Sequence, residues 1–360
     1  MANLVSNYEV PHIGEEQLSL LERLSNACAV SGDEAEVRKI VLSEIRPHVD
    51  ELKVDALGNV LAIKQGLAEP RLRVMLAAHM DEVGLMLTQH IGDGSYRFQV
   101  IGGISGNDLA GKALWIGRDH LPGVIGLMPV HLSHNNGAPK GVEVDDLHVD
   151  MGIEAGKEKV GDRATFATTF ARIGPSLRGK ALDDRLGVAT LIELVKHAPP
   201  NIDLLAAFTV QEELSHHGAR VAAYALNPNL AIILESTPAY DLPAWESDEN
   251  ERYNTRLGAG PAIYVADSGT LYDPRLVRYM VDIAEGHEIP YQIRQPGGGS
   301  TDGWAIHRQR EGIPSISISV PGRYPHSPAS IVRLSDWQAT VALVATALSR
   351  LTPDVLSADR

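Results

Sequence analysis

A chain of 360 residues is too long for one ordinary compact unit and fits two domains, or one core carrying a large insertion. Its 44% apolar and 22% charged residues describe a globular protein rather than a disordered one, and no run of roughly 18 apolar residues offers a membrane-spanning helix. The formal net charge of −14 argues against a nucleic-acid partner, which needs clustered positive surface, and reads chiefly as solubility.

The first residues, MANLVSNYEVPHIGEEQ, lack the basic-then-apolar order of a secretory leader, and a lone cysteine, Cys28, cannot staple the fold. The expected compartment is the cytoplasm. Residues 14–27 carry apolar positions at helical spacing, and Ser31 with Glu34 predicts a capping box opening a second helix through about Val49. A turn at Leu57-Gly58-Asn59 separates these from strands over 59–64 and 71–78. From Glu82 to Gly174 helical periodicity gives way to short β-rich pieces (YRFQVIGGI, KALWIG, GVIGLMPV, ATFATTFARI) between recurrent glycines. Alternation then resumes: a helix from Arg185 to His197, a strand over 203–210, a helix over 216–227 and a strand over 230–234. A helix over 274–286, a strand over 315–320 and a closing helix over 336–351 complete it. The simplest parse is one α/β core, 1–81 and 175–360, interrupted by a small barrel-like or sandwich domain, 82–174.

In an open α/β sheet, ligands gather beyond the carboxyl ends of the strands. Four apolar segments here run into ionisable residues: VMLAA into His79 and Asp81, LLAAFTV into Gln211-Glu212-Glu213, LAIIL into Glu235, and SISISV, after a Pro-Gly turn, toward His326. Asp183-Asp184 precedes the helix expected from Arg185. Taken singly, each group has an ordinary structural explanation, Asp183 as an N-cap and the Glu pair as solvated surface. Taken together at one sheet edge, buried carboxylates and imidazoles call for compensation, and divalent cations such as zinc, cobalt or manganese provide it. His79 and Asp81 point the same way on extended chain, so Asp81 can support the His79 imidazole. The neighbours Glu212 and Glu213 diverge, one toward metal and one toward substrate. His131 and His134 form an H-x-x-H read as loop, His216 and His217 read as helix-start or surface residues, and the acidic run Glu246–Glu251 reads as a solvated loop.

The motifs HMDEVG (79–84), ALDDR (181–185), QEE (211–213), GGGSTDG (297–303) and RYPHSP (323–328), in this order and spacing, resemble the glutamyl and tetrahedral aminopeptidase family of dinuclear metallopeptidases. The resemblance implies a mixed-sheet α/β/α metallopeptidase core with an inserted small β-barrel-like domain that builds contacts in a homo-oligomer, in many members a tetrahedral dodecamer. It implies two divalent metal ions per subunit, zinc or cobalt, with Asp183 bridging, His79 and Glu235 completing one site, and Glu213 and His326 the other. Glu212 would be the general base, Asp81 the support for His79, and Thr301 and Asp302 would line the pocket for peptide substrates. Three positions depart from the family pattern. Glu235 stands where Asp is usual, and in the wider group Glu there often accompanies carboxypeptidases and N-deacylases, the alternative reading. Asp184 replaces a usual Asn, adding a negative charge, and Ser300 replaces a usual Gly. A metal-free glycoside hydrolase and a non-catalytic binding protein are the remaining alternatives.

Overall fold

The computed structural model describes residues 8–128, 141–152, 158–242, 255–357 and 359, so His131, His134 and the acidic run Glu246–Glu251 lie outside the described residues. Two sheets organise the described residues. Strands β1 (Glu51–Val54), β2 (Val60–Lys64) and β3 (Arg73–His79) precede a run of six, β4 (Gly84–Gly92), β5 (Ser95–Ile101), β6 (Ala113–Ile116), β7 (Leu121–Gly126), β8 (His148–Asp150) and β9 (Arg163–Phe166). These six close on themselves as a barrel in the order β4-β5-β8-β7-β6-β9. Strands β10 (Ala171–Ile173), β11 (Ser176–Gly179), β12 (Asp203–Thr209), β13 (Leu230–Pro238), β14 (Ala262–Tyr264), β15 (Gln292–Arg294), β16 (Ser315–Arg323) and β17 (Ser330–Arg333) join β1–β3 in one mixed sheet. Ala171–Ile173, the tail of the ATFATTFARI segment, therefore pairs in the large sheet with Ser176–Gly179 rather than in the barrel.

The centre of that sheet, β12-β3-β13-β16, is parallel. Parallel strands buried on both faces read as unbroken apolar runs, which is the texture of VMLAA, LLAAF and LAIIL. Alternate residues serve different cores: Val74, Leu76 and Ala78 pack with the helices Glu15–Asn26, Ala35–Ile45, Leu182–Lys196 and Leu334–Arg350, whereas Met75 and Ala77 pack with His217–Leu226 and the Gly303–Ile306 turn of helix. Helices thus cover both faces. The barrel holds its own apolar interior around Leu85, Leu114, Ile116, Val149 and Phe166. Among the described residues no helix is long and apolar enough to cross a membrane.

Two local expectations are corrected. The capping box at Ser31 does not form: the second helix starts after Glu34 without a side-chain cap, because the Ser31 hydroxyl donates to Asp81 Oδ2 at 2.6 Å instead. Glu235 does not terminate its strand, since β13 continues to Pro238.

One buried ionic cluster fastens the barrel to the core. Glu82, 2% exposed, accepts from Lys180 Nζ at 2.8 and 2.9 Å, from Arg185 at 3.1 Å, from the Ala29 amide and from Thr165 of the barrel. Burial alone would raise the Glu82 carboxyl; the Lys180 and Arg185 charges outweigh it and hold it below its ordinary value. A depressed carboxylate contributes stability above the unfolded value of about 4.3 that is lost as pH falls through the folded value. Leaving a buried charge without a partner costs about 3–5 kcal/mol, and Arg185 still faces Glu82, so Lys180→Met should lower the unfolding free energy by up to that amount. Urea denaturation at neutral pH measures it, and a loss under about 1 kcal/mol, the scale of an exposed pair, would contradict the account.

Candidate metal centre

Register brings the site together. On the parallel strands Thr209 pairs with His79, and Ile233 pairs with Ala77, two residues short of Glu235 and His79 respectively. The carboxyl end of β3 therefore delivers His79 and Asp81 beside the Gln211-Glu212-Glu213 turn that follows β12, with Glu235 level on β13. Asp183 and Asp184 do not cap a helix. They take non-helical backbone at the start of Leu182–Lys196 and are joined by a cis peptide bond. His326 follows β16 in a left-handed conformation, with φ of 55°.

Asp183 is the centre of the arrangement. Its Oδ1 lies 3.3 Å from His79 Nε2, which is 3.4 Å from Glu235 Oε1. Its Oδ2 lies 3.5 Å from His326 Nε2, which is 3.3 Å from Glu213 Oε2. The two carboxylate oxygens thus serve two three-donor groups, and within each group the donor atoms all fall within 4.8 Å of one another. Both imidazoles are held from behind by backbone carbonyls, His79 Nδ1 at 3.2 Å from Asp81 O and His326 Nδ1 at 3.0 Å from Gly103 O of the barrel-side loop. Each Nδ1–H donates backward, and each Nε2 faces carboxylate oxygens.

Charge balance is poor in a manner that cations correct. Burial, opposed by His79 at Glu212 and by His326 at Glu213 and reinforced by the neighbouring carboxylates, pushes both up to about 8. Glu235 and Asp184 also stand well above their ordinary values, with burial the first cause of each. The negative charge expected from Asp184 is therefore pressed toward the neutral form, its oxygens accepting from the His79 and Gly187 amides. Burial opposes charging of His326, but its bond to Asp183 and the charges of Glu213 and Asp183 push it up to about 10. His79 is likewise raised by Glu235, Asp183 and Asp81 against burial, and these imidazoles in turn hold Asp183 well below the usual carboxylate range. Donors about 2.0–2.2 Å from a tetrahedral ion stand roughly 3.3–3.5 Å apart, the spacing found here. The residues fit divalent metal ions.

Asp81 does more than its spacing predicts. Its carboxylate is 3.5 Å from His79 Nδ1, and it also accepts from Ser31 Oγ and from the backbone amides of Glu212, at 3.0 Å, and Glu213, at 3.2 Å. It fixes the acidic turn as well as the imidazole. Ser31 carries only the capping-box signal and Gly103 no motif, so neither is expected at the site from the sequence; the folded chain brings both there.

A cavity of about 470 Å³ opens over the cluster, lined by the five candidate ligands, Glu212, His216, Tyr264, Arg294 and the 298–301 loop. Thr301 lines it. Asp302 lies behind, 1% exposed, with Oδ2 accepting from Thr209 Oγ1 at 2.5 Å. Arg294 is committed to the loop backbone, donating to Gly298 O at 2.8 Å and lying over the Tyr264 ring. His216, read from the sequence as a capping or surface residue, is 8% exposed and 3.0 Å from Glu212.

With this geometry in hand, comparison with known proteins is decisive: the description "M42 glutamyl aminopeptidase" matches residues 58–343. The chain belongs to the M42 glutamyl aminopeptidase family. Lysyl aminopeptidase of Pyrococcus furiosus is 30% identical over 347 residues, 93% of this chain and 97% of that protein. An aminopeptidase from the archaeon Desulfurococcus kamchatkensis superposes with a TM-score of 0.89 at 33% identity, covering 95% of this chain and 96% of that one. The TET1 peptidase of Pyrococcus horikoshii, which can assemble into a tetrahedron or a large octahedral shell, gives 0.82 at 30% identity over 93% of this chain and all of that one. As a member of this family the protein is a peptidase, a metal-dependent enzyme of the aminopeptidase type. The carboxypeptidase or N-deacylase alternative is not favoured.

Proposed function

We propose that the protein removes N-terminal residues from peptides with two divalent ions, one held by His79, Asp183 and Glu235 and the other by Asp183, Glu213 and His326. The observation that carries this reading is the division of the Asp183 carboxylate between the two donor groups. Imidazole and carboxylate ligands suit zinc or cobalt. Bound there, the ions would supply acidity to a water and withdraw charge from the scissile carbonyl.

The chain's own residues do the rest. Glu212 accepts the proton of the attacking water at its carboxylate and returns it to the departing amine. Asp81 holds the amides of Glu212 and Glu213 so that the two side chains diverge, one to substrate and one to metal. Asp81 and the Gly103 carbonyl present both imidazoles with Nε2 forward, and Thr301 bounds the pocket that receives the substrate's first residue.

We further propose that the inserted segment 82–174, whose barrel strands run from Gly84 to Phe166, builds subunit contacts in a homo-oligomer, possessing on its described surface the exposed apolar residues Ile91, Val124, Leu127, Met128 and Val160. A tetrahedral dodecamer is the expected assembly. The single cysteine suits a reducing cytoplasm, where we place the enzyme.

Metal-stripped protein should be inactive and regain turnover with zinc or cobalt. It should cleave aminoacyl substrates bearing a free amine and leave their N-acetylated forms intact. Equal turnover of the acetylated forms would overturn the exopeptidase polarity. Undiminished turnover after chelation, with metal absent by elemental analysis, would overturn the metal centre and return attention to a two-carboxylate glycosidase.

A further inference from the structure

We propose that His216 is a positioning residue for Glu212: its imidazole Nε2–H holds one oxygen of that carboxylate and leaves the other to take the proton. The inference rests on the assignment of Glu212 as general base. Its geometry is independent of that assignment. His216 Nε2 lies 3.0 Å from Glu212 Oε1 and 3.1 Å from Ser300 Oγ. The ring is not free to turn elsewhere. It packs against Trp304 with centroids 5.4 Å apart, and the Arg308 guanidinium covers that indole at 3.7 Å. The backbone is fixed too, with φ of 60° at His216 and its amide donating to Glu212 O at 2.9 Å.

The tautomer follows from the partners. Among the described residues the buried His216 Nδ1 has no hydrogen-bond partner. A buried N–H left unpaired is rarer than an under-used acceptor, so the proton belongs on Nε2, aimed at the carboxylate. The same point removes a competing interpretation. Ser300, His216 and Glu212 bear the side chains of a serine-hydrolase triad, but such a triad needs the two ring nitrogens to serve different partners. Here serine and carboxylate meet the same nitrogen, so Ser300 is not a nucleophile activated by this pair. A glutamate side chain otherwise has several rotamers to lose when ordered, and a charge-assisted bond holds it in the reactive one.

The test uses the metal-loaded full chain and an aminoacyl substrate. His216→Phe keeps a ring against Trp304 and removes the donor. It should lower kcat by roughly 10- to 100-fold, the scale of a hydrogen bond to a charged group, with KM and metal content unchanged. His216→Gln, which restores an N–H donor, should recover most of that loss. His216→Leu serves the same comparison if the phenyl ring cannot be accommodated. In a Glu212→Gln background His216→Phe should have no further effect, because the two act as one unit. A kcat within twofold of the parent, a defect carried by KM or metal loss, or full additivity in the double variant would each overturn the proposal. If Glu212→Gln is itself fully active, the base assignment has failed; if it is impaired while His216→Phe stays within twofold of the parent, only the positioning role has.

Discussion

Glu212→Gln is expected to lose about 10²–10⁴-fold in kcat while keeping its full complement of metal, the range associated with a positioned general base. The substitution is nearly isosteric. The turn that presents residue 212 is held through its backbone, by the Asp81 carboxylate on the amides of 212 and 213, so the amide side chain should occupy the same place. Glu212 donates to neither three-donor group built around Asp183, so the ligand sets survive the change. What is lost is the ability of an oxygen to take a proton. KM for a free-amine substrate should move little, since the change removes an interaction made in the transition state. Elemental analysis on the same preparation separates this outcome from metal loss. Near-parental kcat in the metal-replete variant would remove Glu212 from the mechanism.

The second large effect is expected at Asp183. Asp183→Asn should abolish stoichiometric metal binding and activity together, because one carboxylate serves both groups and an amide provides only one oxygen of weaker charge. Loss at either outer ligand alone, Glu235 or His326, would touch one group; loss at Asp183 touches both. Stability gives a readout that does not depend on turnover. An ion present at 100 times its dissociation constant stabilises the folded state by about 2.7 kcal/mol, raising the melting temperature of the parent when zinc or cobalt is added to stripped protein. The Asp183→Asn variant should show no such rise. A variant that retains two equivalents of metal after gel filtration, or keeps the parental increment, would show that the two groups do not share this carboxylate.

The elements that carry the site were legible in the sequence to the extent that their signal is local. The strands VMLAA, LLAAFTV and SISISV and the helices Glu15–Asn26, Pro274–Gly286 and Leu334–Arg350 fall where periodicity and apolar runs put them. Residues whose placement depends on distant partners were misjudged. Ser31 looked like an N-cap because it precedes a helical pattern by the right interval, yet a buried carboxylate fifty positions on, Asp81, outcompetes the helix amides for its hydroxyl. His216 looked like a helix-start or surface residue because it follows the Glu pair at the head of a helical pattern, but Ser300 and Trp304, from a segment over eighty residues on, enclose it against Glu212.

By itself, then, the order of residue types determined which segments become buried parallel strands and which chemistry waits at their ends, because apolar continuity and the presence of imidazole and carboxylate groups are properties of short stretches. The tertiary structure alone decided that Asp183 stands between two histidines, that a barrel-side carbonyl aims His326, and that Asp184 is driven toward its neutral form. Those outcomes are set by distances of 3–4 Å between segments far apart along the chain and by the exclusion of water around them, and electrostatic energy at such range depends on geometry that no local pattern contains.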